Sequence, residues 1–347
     1  MQSVTKEETT PDSDVCTADV LAARQRIAKF IKRTPLERSD PLSERFGCEV
    51  YLKMELLQKT GAFKVRGAFN KLLTLTLAQS VHGVVAVSGG NHGQGVAYAA
   101  KALGIAALIL VPEKTPANYV EAMRGHGAQV VRMPTLAEAF RESAKYQEEG
   151  WYFIHPFDDP LVIAGQGTLG LEILEDCPQV TDVIVSVGGG GLAGGIAVAI
   201  KAERPGVHIW GVETEGADAM ARALAAGRVV ELPAVTSIAH TLGAPAVSHR
   251  TLRLAKQHLE SVTVVPDREA VAEMVYLLEQ MKILTEPAAS CTVAAASRLR
   301  TQFSKAHHVL LVLCGGNVAL EDVWRFRESL PSAVLEPERS GHPNGRR

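Results

Sequence analysis

The chain has 347 residues, room for two average domains or one large α/β unit. With 46% hydrophobic and 21% charged residues it has an ordinary globular composition, and a formal charge of −2 leaves no positive excess to draw nucleic acid or anionic lipid. The five cysteines (Cys16, Cys48, Cys177, Cys291, Cys314) form no CxxC pair, which argues against a disulfide framework or a zinc site.

The start, MQSVTKEETTPDSD, is polar and acidic, unlike a signal or transit peptide. Residues 1–14 and 331–347 read as disordered tails. No apolar run is long enough to span a bilayer, so a cytoplasmic protein with no membrane and no nucleic-acid partner is expected. Strands are predicted at 83–88, 106–112, 128–133, 182–187, 207–213 and 308–314, with Ala/Leu-rich helices after the first four. That alternation predicts parallel sheets covered by helices, in two lobes with a cleft between them.

Early in the chain, TGAFKVRGAFNK places Lys64 between Phe63 and Val65. An amine in apolar surroundings has a lowered pKa, as Schiff-base chemistry requires. The alternative is a helical lysine reaching out to water. Next comes SGGNHGQG (88–95), a strand–loop–helix turn suited to an anionic group such as a substrate carboxylate, or simply a turn in which Asn91 takes a left-handed conformation.

The segment SVGGGGLAGG (186–195) predicts a strand ending at Val187 and a helix opening at Leu192. Consecutive glycines and a helix N-terminus make a phosphate cradle. The same residues also satisfy GxGxxG through Gly189, Gly191 and Gly194, with Glu213 placed to grip a ribose, so a nicotinamide-dependent oxidoreductase is a rival. Its weakness is a position mid-chain, after several βα units. Finally, CGGNVAL puts Cys314 at the end of a buried strand.

Taken in order, RTPL (33–36), the lysine motif, SGGNHGQ, HPFDDPLVIAGQGT (155–168), the tetraglycine loop, GVE (211–213), EPAAS (286–290) and CGGNV resemble the fold-type II pyridoxal-phosphate enzymes, specifically the threonine dehydratase, serine dehydratase and serine racemase group. The resemblance covers about residues 20–325. It implies a two-domain α/β fold like that of tryptophan synthase β, with open sheets flanked by helices. Residues 15–80 and 158–330 would form a large cofactor-binding domain and 81–157 a small one.

By the same resemblance, Lys64 bonds covalently to pyridoxal 5'-phosphate and acts catalytically. Phe63, Asn91 and Glu286 contact the cofactor, and Gly188, Gly189, Gly190, Gly191 and Leu192 hold its phosphate. Cys314 faces the ring nitrogen. A neutral group there withdraws electrons from the substrate less fully than an aspartate, which favours loss of a β-leaving group. Ser88, Gly89, Gly90, Asn91 and His92 would take the substrate carboxylate. The implied reaction is β-elimination from a 3-hydroxy amino acid to a 2-oxo acid and ammonia, with threonine or serine as substrate.

Several positions depart from the pattern. Ala62 stands where Ser is usual. Gly89 stands where racemases carry a serine, which speaks against racemisation. Relatives that bind a divalent cation do so near GVE; here Glu213 and the Ala217 carbonyl match, but Ala219 replaces a carboxylate, so a metal site is doubtful. The segment 237–251, with His240 and Thr241, is the least family-like part and is expected to line the pocket, which keeps phenylserine and hydroxyaspartate open as substrates. The family-like part ends near 330, where related feedback-inhibited enzymes carry a further regulatory domain, so a catabolic or specialised dehydratase is expected. A homodimer or homotetramer is implied by resemblance alone.

Overall fold

The computed structural model describes residues 15–330; the two expected tails lie outside the described residues. Among these, ten strands form two sheets. The strands are β1 (Leu36–Arg38), β2 (Glu49–Met54), β3 (Val84–Val87), β4 (Ala107–Pro112), β5 (Gln129–Met133), β6 (Tyr152–Phe153), β7 (Asp182–Ser186), β8 (His208–Thr214), β9 (Ser261–Val265) and β10 (His308–Leu313). The larger sheet runs β1-β2-β10-β7-β8-β9 and the smaller β5-β4-β3-β6. Every pairing is parallel except β1 with β2.

Parallel sheets covered on both faces demand continuous apolar strands. Val84–Val87 is buried at all four positions, and Val309–Leu313 is likewise buried throughout. All six strands predicted from the sequence exist, within one or two residues at their ends. Four were not anticipated. β1 and β6 are too short to show a period, and β2 hides a fully buried lysine, Lys53, inside its pattern. The run SVTVV of β9 is β-branched enough to be legible, yet it lies outside the predicted strands.

Because the strands run parallel, their C-terminal ends collect on one side, where α/β ligands sit. The turns leaving β3, β7 and β10 carry Asn91, the four glycines and Cys314 into one cavity.

Beneath that cavity lies a buried ionic cluster. Arg66, with no exposed surface, donates to both carboxylate oxygens of the equally buried Glu55 at 2.8 Å each. It also reaches Glu172 at 2.7 and 3.0 Å and Thr168 at 3.1 Å. Lys53 bonds Glu172 at 2.8 Å and the Thr34 carbonyl at 2.8 Å. The guanidinium is held firmly in its charged form by the two carboxylates, against the cost of burial. The cluster thereby joins β2, the helix Val65–Leu72 and the helix Pro160–Asp176.

Breaking a buried pair from one side strands an uncompensated charge, which costs about 3–5 kcal/mol. Arg66→Ala is therefore expected to lower the unfolding free energy by that much, seen as a lower denaturant midpoint with an unchanged slope. A loss under about 1 kcal/mol would remove the cluster from the account.

Candidate functional site

Phe63, Lys64, Asn91, Phe157, Ser186, the loop Gly188–Leu192, Thr241, Leu242, Glu286, Ala288 and Cys314 line a partly open cavity whose empty space, solvent at its mouth included, is about 450 Å³. Lys64 sits at the N-cap of the helix Val65–Leu72. Its Nζ donates to the Pro156 carbonyl at 2.6 Å and lies 5.3 Å from the centroid of the Phe63 ring, so the side chain turns into the cavity rather than out to water. Burial pushes the amine down to about 8, opposed by the nearby Cys314 and Glu286.

The four glycines adopt the form a bound group needs. Gly190 has φ +91 and is the N-cap of the helix Gly191–Glu203, which has no side-chain cap. A Cβ on Gly189 would meet the Phe157 ring at 2.2 Å, so only glycine lets the backbone approach there. The strand ends at Ser186 and the helix opens at Gly191, one residue earlier in each case than predicted.

The same region holds a polar group drawn from four segments of the chain: Asn91, Thr241, Glu286 and Asn317. Asn91 Nδ2 donates to Glu286 at 2.8 and 3.1 Å, while its Oδ1 accepts from Asn317 at 2.8 Å. Thr241 Oγ1 donates to the same carboxylate at 2.9 Å. Burial raises Glu286 to about 7 despite these donors. At the end of β10, Cys314 accepts from Ser186 Oγ at 3.4 Å and donates to the Ala288 carbonyl at 3.6 Å. Desolvation and Glu286 push its thiol up to about 12, so it is neutral.

The structure thus brings Phe63, Lys64, Asn91, Gly188, Gly189, Gly190, Gly191, Leu192, Glu286 and Cys314 together. Ser88, Gly89, Gly90 and His92 are not among the residues lining the cavity; they flank Asn91, which is. The His92 ring is engaged elsewhere: its Nε2 faces the Ile154 carbonyl at 2.9 Å and burial lowers it to about 3, so a part for His92 in holding an anion falls to its backbone N–H.

The segment 237–251 contributes Thr241 and Leu242, but His240 is exposed. Phe157, Ser186 and Ala288 were missed. All three lie inside motifs quoted above (HPFDDPLVIAGQGT, SVGGGGLAGG and EPAAS), but no property of their own side chains singles them out.

Glu213 and Ala217 are elsewhere. Glu213 is not solvated: it is fully buried, and its oxygens accept from Met220 N–H at 2.9 Å and Ala221 N–H at 2.8 Å. Both oxygens are committed, which removes the ribose-gripping role from the oxidoreductase reading. The residues do not fit a hard cation either, since no group of three or more His, Cys, Asp or Glu that could hold a metal occurs among the described residues.

A family profile described as "Pyridoxal-phosphate dependent enzyme" matches residues 27–315. The L-threonine ammonia-lyase of Thermotoga maritima is 42% identical over 310 residues, spanning 89% of this chain and 77% of that one. A threonine deaminase from T.th. superposes with a TM-score of 0.82 at 39% identity, covering 88% of this chain and 99% of that one. Maize serine racemase gives 0.85 at 34% identity, covering 91% and 98%. No helix among the described residues is long and apolar enough to cross a membrane.

Glu213 supplies a pH test. Burial raises it from 4.5 to about 8, so the folded state holds this proton more tightly than the unfolded state. Its contribution to stability is full below pH 4.5 and is lost as pH rises through about 8. Glu213→Gln keeps a helix-capping oxygen and cannot ionise, so thermal melts should show the variant gaining on the parent from about pH 5 to 8, with neither curve moved by Mg²⁺ or EDTA. Parallel curves, or stabilisation by the cation, would contradict the assignment.

Proposed function

Because the chain belongs to the family of pyridoxal-phosphate-dependent enzymes, we propose that it removes the β-hydroxyl and the amino group from a 3-hydroxy amino acid, with threonine or serine as substrate, releasing a 2-oxo acid and ammonia. Its cofactor is pyridoxal 5'-phosphate and its class is lyase. The observation that carries the reading is one cavity joining an amine of lowered pKa, a glycine cradle and a neutral thiol.

The residues fit the cofactor. Lys64 would bond its aldehyde carbon. The uncapped start of the helix Gly191–Glu203 would hold its phosphate through the backbone of Gly188–Leu192, where a Cβ on Gly189 would collide with Phe157. Phe63, Asn91 and Glu286 would flank the ring, and Cys314 would face its nitrogen. Once bound, the cofactor supplies a conjugated system that delocalises negative charge from the substrate α-carbon.

The chain does the rest. Displaced from the cofactor by the substrate's amino group, the Lys64 amine, its pKa lowered by burial to about 8, would take the α-proton as general base. Cys314, uncharged, leaves the ring nitrogen without the carboxylate partner that would deepen charge withdrawal. Electrons left at the α-carbon would therefore expel the β-hydroxyl, which departs as water on receiving the proton that Lys64 took from the α-carbon. The enamine product then takes up water and gives the 2-oxo acid and ammonia.

Gly89 offers no proton donor of its own, which supports elimination over inversion. The near-balanced charge and the absence of a spanning helix among the described residues support a cytoplasmic setting for this reaction. We carry the homodimer or homotetramer only from the family resemblance; sedimentation would decide it.

Screening a panel of 3-hydroxy amino acids for oxo-acid release should find threonine or serine the best substrate, with Lys64→Ala reducing turnover at least about 1,000-fold. Release of D-serine from L-serine without oxo acid would overturn the reaction. Gly189→Ala is expected to purify without the cofactor's yellow colour; full colour would remove the loop from the phosphate site.

A further inference from the structure

The substrate loop at the start of the helix Asn91–Leu103 has a neighbour no motif announces. Thr115 follows β4, is 7% exposed, and has its backbone N–H bonded to the Pro112 carbonyl at 2.9 Å. Its carbonyl accepts from Arg132 at 3.1 Å. Its hydroxyl has no partner among the described residues. A buried, unpaired hydroxyl is costly, so its retention calls for a ligand.

That hydroxyl is aimed at the loop. A Cβ built on Gly89 would lie 2.5 Å from Thr115 Oγ1, so the threonine fills the space a side chain at 89 would take. The surrounding groups are donors. The helix has no side-chain cap, and its first intrahelical bond is Gln94 N–H to the Gly90 carbonyl, which leaves its opening N–H groups directed outward. Ser88 Oγ accepts from Gly90 N–H at 3.1 Å and keeps its own hydrogen for another acceptor. Glu286, a carboxylate close by, is occupied by Asn91 and Thr241. Donors without an acceptor at a helix N-terminus select an anion.

We propose that Thr115 is a substrate-positioning residue whose hydroxyl donates to the α-carboxylate of the amino acid held at Gly89–His92. This rests on the amino-acid reading above and adds to it a residue outside the motifs. The hydroxyl fixes the carboxylate, and with it the direction of the α-C–H bond.

The test uses the holoenzyme and glycine, which carries the carboxylate but no β-leaving group, with binding read from the cofactor's absorbance. Loss of one hydrogen bond to a charged group should weaken glycine binding by about 10- to 100-fold in Thr115→Val. Ethylamine, lacking the carboxylate, should bind both proteins equally. Thr115→Ser should restore glycine affinity. The melting temperature of Thr115→Val should hold or rise, since an unpaired hydroxyl is removed. With threonine or serine, KM should rise more than kcat falls. Glycine affinity within about twofold of the parent, or equal weakening of glycine and ethylamine, would overturn the assignment. An active parent with an unaffected Thr115→Val overturns Thr115 alone, whereas a parent that releases no oxo acid overturns the reaction beneath it.

Discussion

Everything in the cleft depends on keeping one primary amine away from bulk water without neutralising it by an ion pair. Lys64 achieves this through position. It opens a helix whose first turn is bolted down by Arg66, Glu55 and Glu172, none of which lines the cavity. The hydrogen bond from its Nζ goes to a neutral carbonyl, Pro156. Glu286 and Cys314 are near enough to raise the amine's pKa, yet desolvation outweighs both. A carboxylate in direct contact would reverse that balance and leave an ammonium with no lone pair.

The remaining groups divide the work by charge. Two uncapped helix starts, at Asn91 and Gly191, offer positive partial charge at separate ends of the cavity. Glu286, raised to about 7, carries only part of a negative charge at neutral pH, and Cys314 carries none. A ligand with an anion at each end is accommodated, and its middle meets groups that do not compete for the charge. Parallel topology makes this possible, because β3, β7 and β10 deliver their turns to one side.

Much of this was legible in the residues. Short β-branched runs exposed the parallel strands, and the glycine clusters marked where backbone must stand in for side chains. What stayed hidden involved pairs distant in sequence. The 66–172 and 91–286 contacts join residues more than 100 positions apart, and nothing local in Glu172 or Asn91 announces a partner. Lys53 disguised a strand because its charge is cancelled from another helix. Glu213 could be offered to a ribose or a cation because its two donors come from the helix that follows it, beyond the strand itself. Nothing in the sequence tells that the His92 ring is turned toward Ile154, leaving its backbone N–H to the loop. Thr115 carries no motif at all; only its placement against Gly89 distinguishes it.

The central claim concerns which nitrogen carries the cofactor. Treating the purified enzyme with borohydride and sequencing its peptides by mass spectrometry should find the reduced pyridoxyl adduct on Lys64 alone. An adduct on any other lysine of active enzyme, with Lys64 unmodified, would contradict the account.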